Sequence, residues 1–468
     1  AVVAKDQVIA ATDPQTSAVS DPAADLRAAL EAVLAASLGG APSVADLNRL
    51  TGGASRETWS CTVDGRPAVL RRDPPSAPDA AAMAREAALL AAADAAGVPV
   101  PGVIAQGPDL DGRPWMVMEF LDGEAIAPRI LRDESLAAAR DAMAYELGGI
   151  AARLHTIDPD TIDGLDDHDV VHGIAVTSRQ LGGRRPVIEL GLRWLEDHRP
   201  DPVGRSVVHG DFRHGNLLIT ADGVTGVLDW ELAHAGDPIE DLGWLCVKSW
   251  RFGSPHPVGG FGARQDLLDG YRDAGGADVD LDTLRWWEVY GTLRWAVICR
   301  VQAERFLSGG DRSVEYAMIG RRTAEAEFDV LLALGVAEPV TTPDVLDDGE
   351  SDDSALDGGD RPGVDGTLAS VGRFLDRLAG EDRRRRFHAK VAANAVATAR
   401  REVRLGASLA AAHDDRLAAL GYADDAALAD AISSRAEGSD RPEVTAAVVD
   451  ACVDRLRISN PRYPAIPG

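Results

Sequence analysis

Cysteine is scarce in this chain, and the positions of the few cysteines exclude two classes of site. Four are present among 468 residues, far apart and without a Cys-x-x-Cys pair: Cys61, Cys246, Cys299 and Cys452. Scattered cysteines in a long chain are typical of small buried side chains, not of a disulfide framework or a zinc site. We therefore expect free thiols, as in a cytoplasmic protein.

Long apolar runs and positive charge are lacking as well. No run approaches the roughly 20 apolar residues that a membrane-spanning helix needs, and residues 1–16 lack the apolar centre of a secretory signal. The formal net charge is −27, which disfavours nucleic acid because its phosphates require clustered cations. Acidity of this kind usually serves solubility, although it also suits a cationic substrate. We expect a small-molecule substrate, and neither a nucleic acid nor a membrane as a partner.

Composition divides the chain into segments. Residues 341–366 contain nine Asp and Glu residues against one Arg, and they have too few apolar residues to fold alone. We interpret them as an acidic linker, and residues 1–20 as a flexible N-terminus. Helical periodicity in residues 367–468 predicts a separate all-α domain with these helices: Leu368–Leu378, Phe387–Leu405, Leu409–Leu420, Ala426–Ile432 and Val444–Leu456.

The four arginines at 383–386 are the one basic run of this predicted domain. They favour a solvated helix face or a contact with the acidic linker, and a protein partner of the domain is the alternative.

The first part of the chain begins with a predicted helix and a β-hairpin. Asp21 is placed to cap a helix that runs to Leu38, before Gly39-Gly40. Two strand-like runs, 57–63 and 68–71, flank the turn Asp64-Gly65. An alanine-rich helix is predicted over 80–96 and a strand over 115–120, followed by a mostly helical remainder.

The motif with the clearest chemical meaning is His-Gly-Asp-Phe-Arg-His-Gly-Asn at 209–216, followed by Leu-Asp-Trp at 228–230. A phosphoryl-transfer enzyme needs one carboxylate to orient the attacking hydroxyl, and a second carboxylate with an amide oxygen to hold magnesium. Asp211 matches the first role, and Asn216 and Asp229 match the metal ligands. The offset from Asp211 to Asn216 is that of the kinase catalytic loop. A hairpin over 217–228 is expected to bring Asn216 and Asp229 to one end.

These residues, with Gly-Asp-Pro-Ile-Glu-Asp-Leu-Gly-Trp at 236–244, resemble the aminoglycoside phosphotransferase family over roughly residues 25–340. The resemblance implies an α+β, protein-kinase-like, two-lobed fold, with an antiparallel-sheet N-lobe at 21–120 and a mainly helical C-lobe at 121–340. It also implies an ATP- and Mg²⁺-dependent kinase that phosphorylates a hydroxyl of a small molecule. Residues 230–231 are Trp-Glu where protein kinases have Phe-Gly, which suggests that no mobile switch lies there.

Two finer resemblances concern the subgroup. The sequence Leu-Asp-Trp-Glu-Leu-Ala-His at 228–234 is most similar to that of the kinase domain of some acyl-CoA dehydrogenase fusion proteins. That kinase domain phosphorylates hydroxyacyl-CoA intermediates. The C-terminal segment resembles an uncharacterised domain that is often appended to this subgroup. Hydroxyacyl-CoA, aminoglycosides and choline-like alcohols all remain candidate substrates, and a catalytically idle ATP-binding or scaffold module is the alternative function.

Further positions are candidates for nucleotide binding. Protein kinases place a Lys on the third strand and pair it with a helix Glu; here the corresponding residues are Arg71, with Arg72 as a competitor, and Glu86. Thr51-Gly52-Gly53-Ala54-Ser55 is predicted to cover the phosphates through its backbone. The segment Glu119 to Leu121 would offer backbone groups to adenine.

Several neighbouring residues are interpreted as supports. Asp237 is placed to cap the helix predicted over 239–250, and Asp241 to anchor the catalytic loop. His214 has two interpretations, a substrate-facing residue or a packed loop histidine.

Overall fold

The computed structural model describes residues 22–50, 56–167, 169–310, 313–347, 364–378 and 383–465. The predicted flexible N-terminus, the cap Asp21, the loop from Thr51 to Ser55 and most of the predicted linker lie outside these ranges. Two compact units are found, one from residues up to 167 with 201–288, and one from 169–200 with 289–465. The predicted domain boundaries remain predictions.

The elements have the following bounds. The strands are β1 Val44–Leu50, β2 Glu57–Val63, β3 Arg66–Arg72, β4 Val103–Gly107, β5 Trp115–Glu119, β6 Ser206–Val208, β7 Leu217–Thr220, β8 Gly223–Val227 and β9 His234–Gly236. The helices are α1 Pro22–Leu38, α2 Ala80–Ala95, α3 Ala127–Ile130, α4 Ala137–Leu154, α5 Val170–Gln180, α6 Pro186–Asp197, α7 Ile239–Cys246, α8 Arg264–Asp273, α9 Leu281–Leu307, α10 Val314–Arg321, α11 Thr323–Ala333, α12 Val364–Leu378, α13 Arg383–Leu420, α14 Asp425–Ser433 and α15 Pro442–Ser459.

A five-stranded antiparallel sheet forms the N-terminal part of the first unit, in the order β1-β2-β3-β5-β4. The predicted turn between β2 and β3 has positive φ at Asp64 (50°) and Gly65 (75°), as two-residue hairpins require. Helix α1 packs its apolar side chains Leu26, Leu30 and Leu34 into the core of this sheet. The packed sheet therefore holds the charged residues at the ends of its strands in fixed positions.

Helix α2 brings a buried acidic side chain to the sheet. Asp79 caps the helix by accepting a hydrogen bond from the N–H of Ala82. Within the helix, Glu86 is buried together with Met83 and Leu90. Because an unpaired buried carboxylate is costly, a cationic partner is required for Glu86.

The rest of the first unit is mainly helical, with two small antiparallel pairs, β6–β9 and β7–β8. The hairpin predicted over 217–228 is the β7–β8 pair, in which Leu217 lies opposite Val227. The helix predicted over 239–250 ends earlier, at Cys246, and is followed by a 3₁₀ turn over Lys248–Trp250. The hairpin directs the chain ends at 216 and 229 to the same side.

The second unit contains helices and no strand among its described residues. Arg185 donates two hydrogen bonds of 2.7 Å to the fully buried carboxylate of Glu327. The two helices predicted over 387–405 and 409–420 are a single helix, α13, of 38 residues. Gly406 does not end this helix, because an interior glycine costs only about 1 kcal/mol and its neighbours continue the helical pattern.

No helix among the described residues is both long and apolar enough to cross a membrane.

Candidate functional site

A cleft of about 530 Å³ lies in the first unit, between the five-stranded sheet and the β7–β8 hairpin. Its walls include three predicted groups: the strand-end Arg71 with Glu86, the segment Glu119–Leu121, and Asp229. Thr58 also lines the cleft, and the sequence analysis missed it. The cleft is thus lined by both apolar and charged side chains.

Arg71 connects two acidic residues of the cleft, Glu86 and Asp229. Its Nη1 donates to Oε1 of Glu86, and its Nη2 lies 3.3 Å from Oδ1 of Asp229. Burial acts against the charge of Arg71, but the carboxylates of Glu86 and Asp229 hold its pKa above the ordinary value. The guanidinium is therefore a fixed positive charge at this end of the cleft.

The competing candidate, Arg72, does not line the cleft. Its Nε donates to Glu57 at 2.8 Å, and its guanidinium lies 5.8 Å from the ring centroid of Trp59. Successive side chains of a strand point to opposite faces, which explains the difference between Arg71 and Arg72. Of the two, Arg71 is the residue that lines the cleft.

A second arginine shares Glu86 and was missed by the sequence analysis. Arg56 donates through Nη1 to Oε2 of Glu86, and through Nε to Asp73 at 2.8 Å. The Glu86 carboxylate thus lies between Arg56 and Arg71, one arginine on each oxygen. An arginine at a strand start is ordinarily exposed, so no local pattern identified this contact.

Two buried polar atoms in the cleft have no hydrogen-bond partner among the described residues: Nε of Arg71 and Oγ1 of Thr58. Unsatisfied polar atoms are uncommon in protein interiors because their desolvation is not compensated. These two atoms fit a polar, anionic ligand in the cleft.

Asp241 anchors the loop at 209–216, as predicted. The Asp241 carboxylate accepts hydrogen bonds from the N–H groups of His209 (2.7 Å) and Gly210 (2.9 Å). Burial opposes ionisation of Asp241, but a hydrogen bond and the charge of His155 hold its pKa below the ordinary value. Gly210 has a φ of +77°, and a Cβ there would lie 2.5 Å from the carbonyl oxygen of Leu232. Only glycine therefore fits at this position.

His209 connects the loop to the segment before Asp229. Its Nδ1 accepts from the N–H of Asp211 at 3.1 Å, and its Nε2 lies 3.0 Å from the carbonyl oxygen of Leu228. The ring also lies 4.8 Å from the buried ring of Trp230. His209 supports the loop through these hydrogen bonds.

The side chain of Asp211 is surrounded by N–H donors. Arg213 donates to both oxygens, through Nε at 2.8 Å and Nη2 at 3.1 Å. Oδ1 also accepts from Nε1 of Trp244 at 2.9 Å, and Oδ2 from Nδ2 of Asn216 at 2.7 Å. The carboxylate is thereby fixed in one orientation, and the motif residues Asp211 and Asn216 are in direct contact.

Asn216 and Asp229 are held near each other through the hairpin backbone. The N–H of Leu228 donates to the carbonyl oxygen of Asn216 at 2.7 Å, and Asp229 follows directly. Asp229 has a φ of 66°, in the left-handed region, where non-glycine residues are strained and cluster at functional sites. A carboxylate and an amide oxygen are hard ligands that suit Mg²⁺, which takes its other ligands from water and phosphate.

No group of three or more His, Cys, Asp or Glu residues in the described ranges is arranged to hold a metal ion by itself.

His214 is buried in an aromatic environment. Its ring lies 5.1 Å from that of Phe261 and 6.0 Å from that of Phe252, and neither ring nitrogen has a partner among the described residues. Burial, with the nearby charge of Arg213, lowers the pKa of His214 to about 3. The structure therefore favours the packed loop histidine over a substrate-facing residue.

The other predicted support is Asp237. Its carboxylate accepts from the N–H of Ile239 at 3.0 Å and from that of Val203 at 2.8 Å. Burial raises the pKa of Asp237. Asp237 therefore binds the first turn of α7 and a preceding loop, which is a structural contact.

The model of the phosphotransferase enzyme family, APH, matches residues 46–287, just over half of the chain. A second model, a domain of unknown function named DUF6285, matches residues 379–463. The C-terminal segment is thus similar to an uncharacterised domain, as the sequence analysis predicted.

Two curated relatives are acyl-CoA dehydrogenase family members. The mouse family member 10 is 29% identical over 239 residues, which are 47% of this chain and 21% of the relative. The chicken family member 11 is 30% identical over 258 residues, which are 50% of this chain and 32% of the relative. The chain thus spans less than a third of the length of these two relatives.

A crystal structure of a proposed aminoglycoside phosphotransferase from Ralstonia eutropha JMP134 has the same fold. It is 24% identical, with a TM-score of 0.54, and the match covers 66% of this chain and 98% of that one. This likeness confirms the predicted kinase-like architecture with an antiparallel N-terminal sheet and a helical remainder.

Proposed function

Because the chain belongs to the phosphotransferase enzyme family, we propose that it transfers the γ-phosphoryl group of ATP to a hydroxyl group of a small molecule. The observation that carries the proposal is the contact of Asp211 with Asn216 in one loop, beside a cleft that holds Asp229, Arg71 and Glu86. These are the residue types, at the family's spacing, that phosphoryl transfer needs.

The cleft is the proposed nucleotide site. Arg71 would hold the phosphates through its guanidinium, whose Nε is buried without a partner among the described residues. A planar guanidinium grips phosphate oxygens in pairs, which a Lys cannot do. The backbone of Glu119 to Leu121 would bind adenine, and the loop that ends at Ser55 would cover the phosphates.

Asn216 and Asp229 would hold Mg²⁺. When bound, the ion neutralises charge on the phosphates. The fit rests on the hard oxygen ligands of both side chains and on their connection through Leu228.

Asp211 is the proposed base. Its carboxylate would accept the proton of the acceptor hydroxyl as the hydroxyl oxygen forms a bond to the γ-phosphorus. The bond between that phosphorus and the β–γ bridging oxygen breaks, and ADP leaves with the electron pair. Asp241 and His209 would keep the loop in place during this step.

The proposed acceptor is a hydroxyacyl-CoA. Two observations support it: the sequence Leu-Asp-Trp-Glu-Leu-Ala-His at 228–234, and the acyl-CoA dehydrogenase names of the relatives. An aminoglycoside or a choline-like alcohol is the alternative acceptor.

The domain at 367–468, beyond the linker at 341–366, would have a protein partner in the cytoplasm.

A catalytically idle ATP-binding or scaffold module is the second candidate function. Such a module has no chemical need for Asp211, Asn216 and Asp229 together, so the complete set of three argues for turnover. Asp211→Asn separates the two candidates, because a kinase loses turnover whereas a scaffold keeps its partner.

The test of the proposed function is Mg²⁺-dependent release of ADP from ATP over a panel of hydroxyacyl-CoAs, aminoglycosides and amino alcohols. Stimulation by one compound class is expected. Binding of MgATP without stimulation by any acceptor would favour the idle module.

A further inference from the structure

The Asp211 carboxylate has no lone pair left for the acceptor hydroxyl in the arrangement described here. An ionised carboxylate has about four acceptor positions. Protein N–H groups occupy four: two from Arg213, one from Trp244 and one from Asn216. A base must itself accept a hydrogen bond from the hydroxyl that it deprotonates. One donor must therefore leave before Asp211 can act.

Arg213 is the donor that can leave. Trp244 and Asn216 are buried residues, 3% and 5% exposed, whereas the side chain of Arg213 is 29% exposed. Asn216 is also fixed by a second hydrogen bond, from Nδ2 to the carbonyl oxygen of Asp211 at 2.9 Å. Trp244 and Asn216 are thus held in place, and Arg213 is the accessible one of the three.

Arg213 also has donors to spare. A guanidinium has five N–H groups; two of them bind Asp211 and one binds the carbonyl oxygen of His214 at 2.9 Å. The remaining two, one on Nη1 and one on Nη2, have no partner within the described residues. The guanidinium lies 4.4 Å from the ring centroid of Trp250, which supports it from one side. Its free N–H groups suit a second anion beside Asp211.

We propose that Arg213 gates Asp211: the γ-phosphoryl group of the bound nucleotide draws Arg213 from one carboxylate oxygen, which frees that oxygen for the acceptor hydroxyl. The proposal rests on the proposed function and assigns to Arg213 a contact with the transferred group. Since the reacting oxygen must lie within about 3 Å of both Asp211 and the phosphorus, the phosphoryl oxygens come within reach of a guanidinium already on that carboxylate. Binding of the donor thus makes the base available.

The proposal makes Asp211 and the γ-phosphoryl group competitors for one arginine. Loss of Asp211 should therefore strengthen binding of a nucleotide that has a γ-phosphoryl group, and loss of Arg213 should weaken it. A nucleotide without that group should respond to neither change. An arginine that only stabilises the loop would alter the affinity for both nucleotides alike.

The test is isothermal titration of the full chain with Mg·AMP-PNP and with Mg·ADP. Arg213→Gln is expected to weaken AMP-PNP binding by about tenfold, the effect of one charge-assisted contact, with ADP affinity unchanged. Asp211→Asn is expected to tighten AMP-PNP binding severalfold. Arg272→Gln, at an exposed arginine of α8, is the control and should change neither affinity.

Equal weakening of both nucleotides in Arg213→Gln, or an unchanged preference for AMP-PNP in both variants, would overturn the gate. Because the titration needs no acceptor, its result is separate from that of the proposed function, whose failure appears as bound MgATP without turnover. With an active acceptor, Arg213→Ala should lower kcat by about 100-fold or more. Guanidinium ion at millimolar concentration should then restore part of kcat.

Discussion

Nη2 of Arg71 lies 3.3 Å from Oδ1 of Asp229, although 158 residues separate the two along the chain. This contact joins the antiparallel sheet to the end of the β7–β8 hairpin within the first unit. It places the proposed phosphate-binding cation beside a proposed magnesium ligand.

Replacement of Arg71 should impair nucleotide use. Arg71→Gln removes the cation that lines the cleft, so the KM for ATP is expected to rise about tenfold or more. Arg71→Lys should recover part of the loss, since Lys keeps the charge without the paired contacts. Steady-state kinetics at varied ATP measure both effects.

Arg72→Lys is the matched control, because Arg72 pairs with Glu57 and lies outside the cleft. An equal rise of KM in the Arg71 and Arg72 variants would contradict the assignment of Arg71.

Loss of the Glu86 carboxylate should destabilise the fold. Glu86 is 2% exposed and pairs with both Arg56 and Arg71, so Glu86→Gln leaves two enclosed guanidinium groups with too little negative charge. Removal of one partner from a buried ion pair typically costs about 3–5 kcal/mol. The free energy of unfolding in urea measures the loss.

Glu196→Gln provides the comparison, because Glu196 is 62% exposed and lies 3.7 Å from Arg435. A surface pair of this kind contributes about 0–1 kcal/mol. Similar losses in the two variants would show that Glu86 does not act through its burial.

His214 should make the fold less stable in acid. Burial lowers its pKa to about 3, so between its ordinary pKa of 6.5 and 3 the unfolded chain binds a proton that the folded chain excludes. Stability is therefore fully present above pH 6.5 and lost as the pH falls toward 3. From pH 7.5 to 5.0 the loss through this one group is about 2 kcal/mol. The variant His214→Leu should lack that portion of the acid loss.

His234 changes the stability of the fold with pH in the opposite direction and serves as the control. Burial opposes its charge, but the hydrogen bond and charge of Glu240 raise its pKa. Its contribution is present below pH 6.5 and lost as the pH rises through the raised value. His234→Gln should therefore leave the acid loss intact; if it removed that loss as fully as His214→Leu does, the assignment to His214 would be wrong.

The sequence was most informative where the chemistry is local. Asp211 and Asn216 lie five residues apart in one loop, and the hairpin that follows is specified by short-range turn and strand patterns. The pairing of Arg71 with Glu86 followed from the family pattern. Asp241 was predicted as the loop anchor, and both of its hydrogen bonds to the loop backbone form.

Contacts across the fold were not predictable in the same way. Arg56 reaches Glu86 over 30 residues of sequence, and Thr58 enters the cleft only because β2 lies beside β3. Arg213 folds back onto Asp211 with its guanidinium against the ring of Trp250, which lies far along the chain. An isolated arginine or threonine carries no signal for such contacts, since tertiary packing decides them. The loop ending at Ser55 stays a prediction.

The central claim, that Asp211 is the base of a kinase, is tested most directly by Asp211→Asn. We expect the native chain to release ADP in a Mg²⁺-dependent reaction that one acceptor class stimulates. In the variant, kcat should fall by about 10²- to 10⁴-fold, the usual contribution of a general base, while nucleotide still binds. Acceptor-stimulated release of ADP at the native rate by Asp211→Asn would contradict the account.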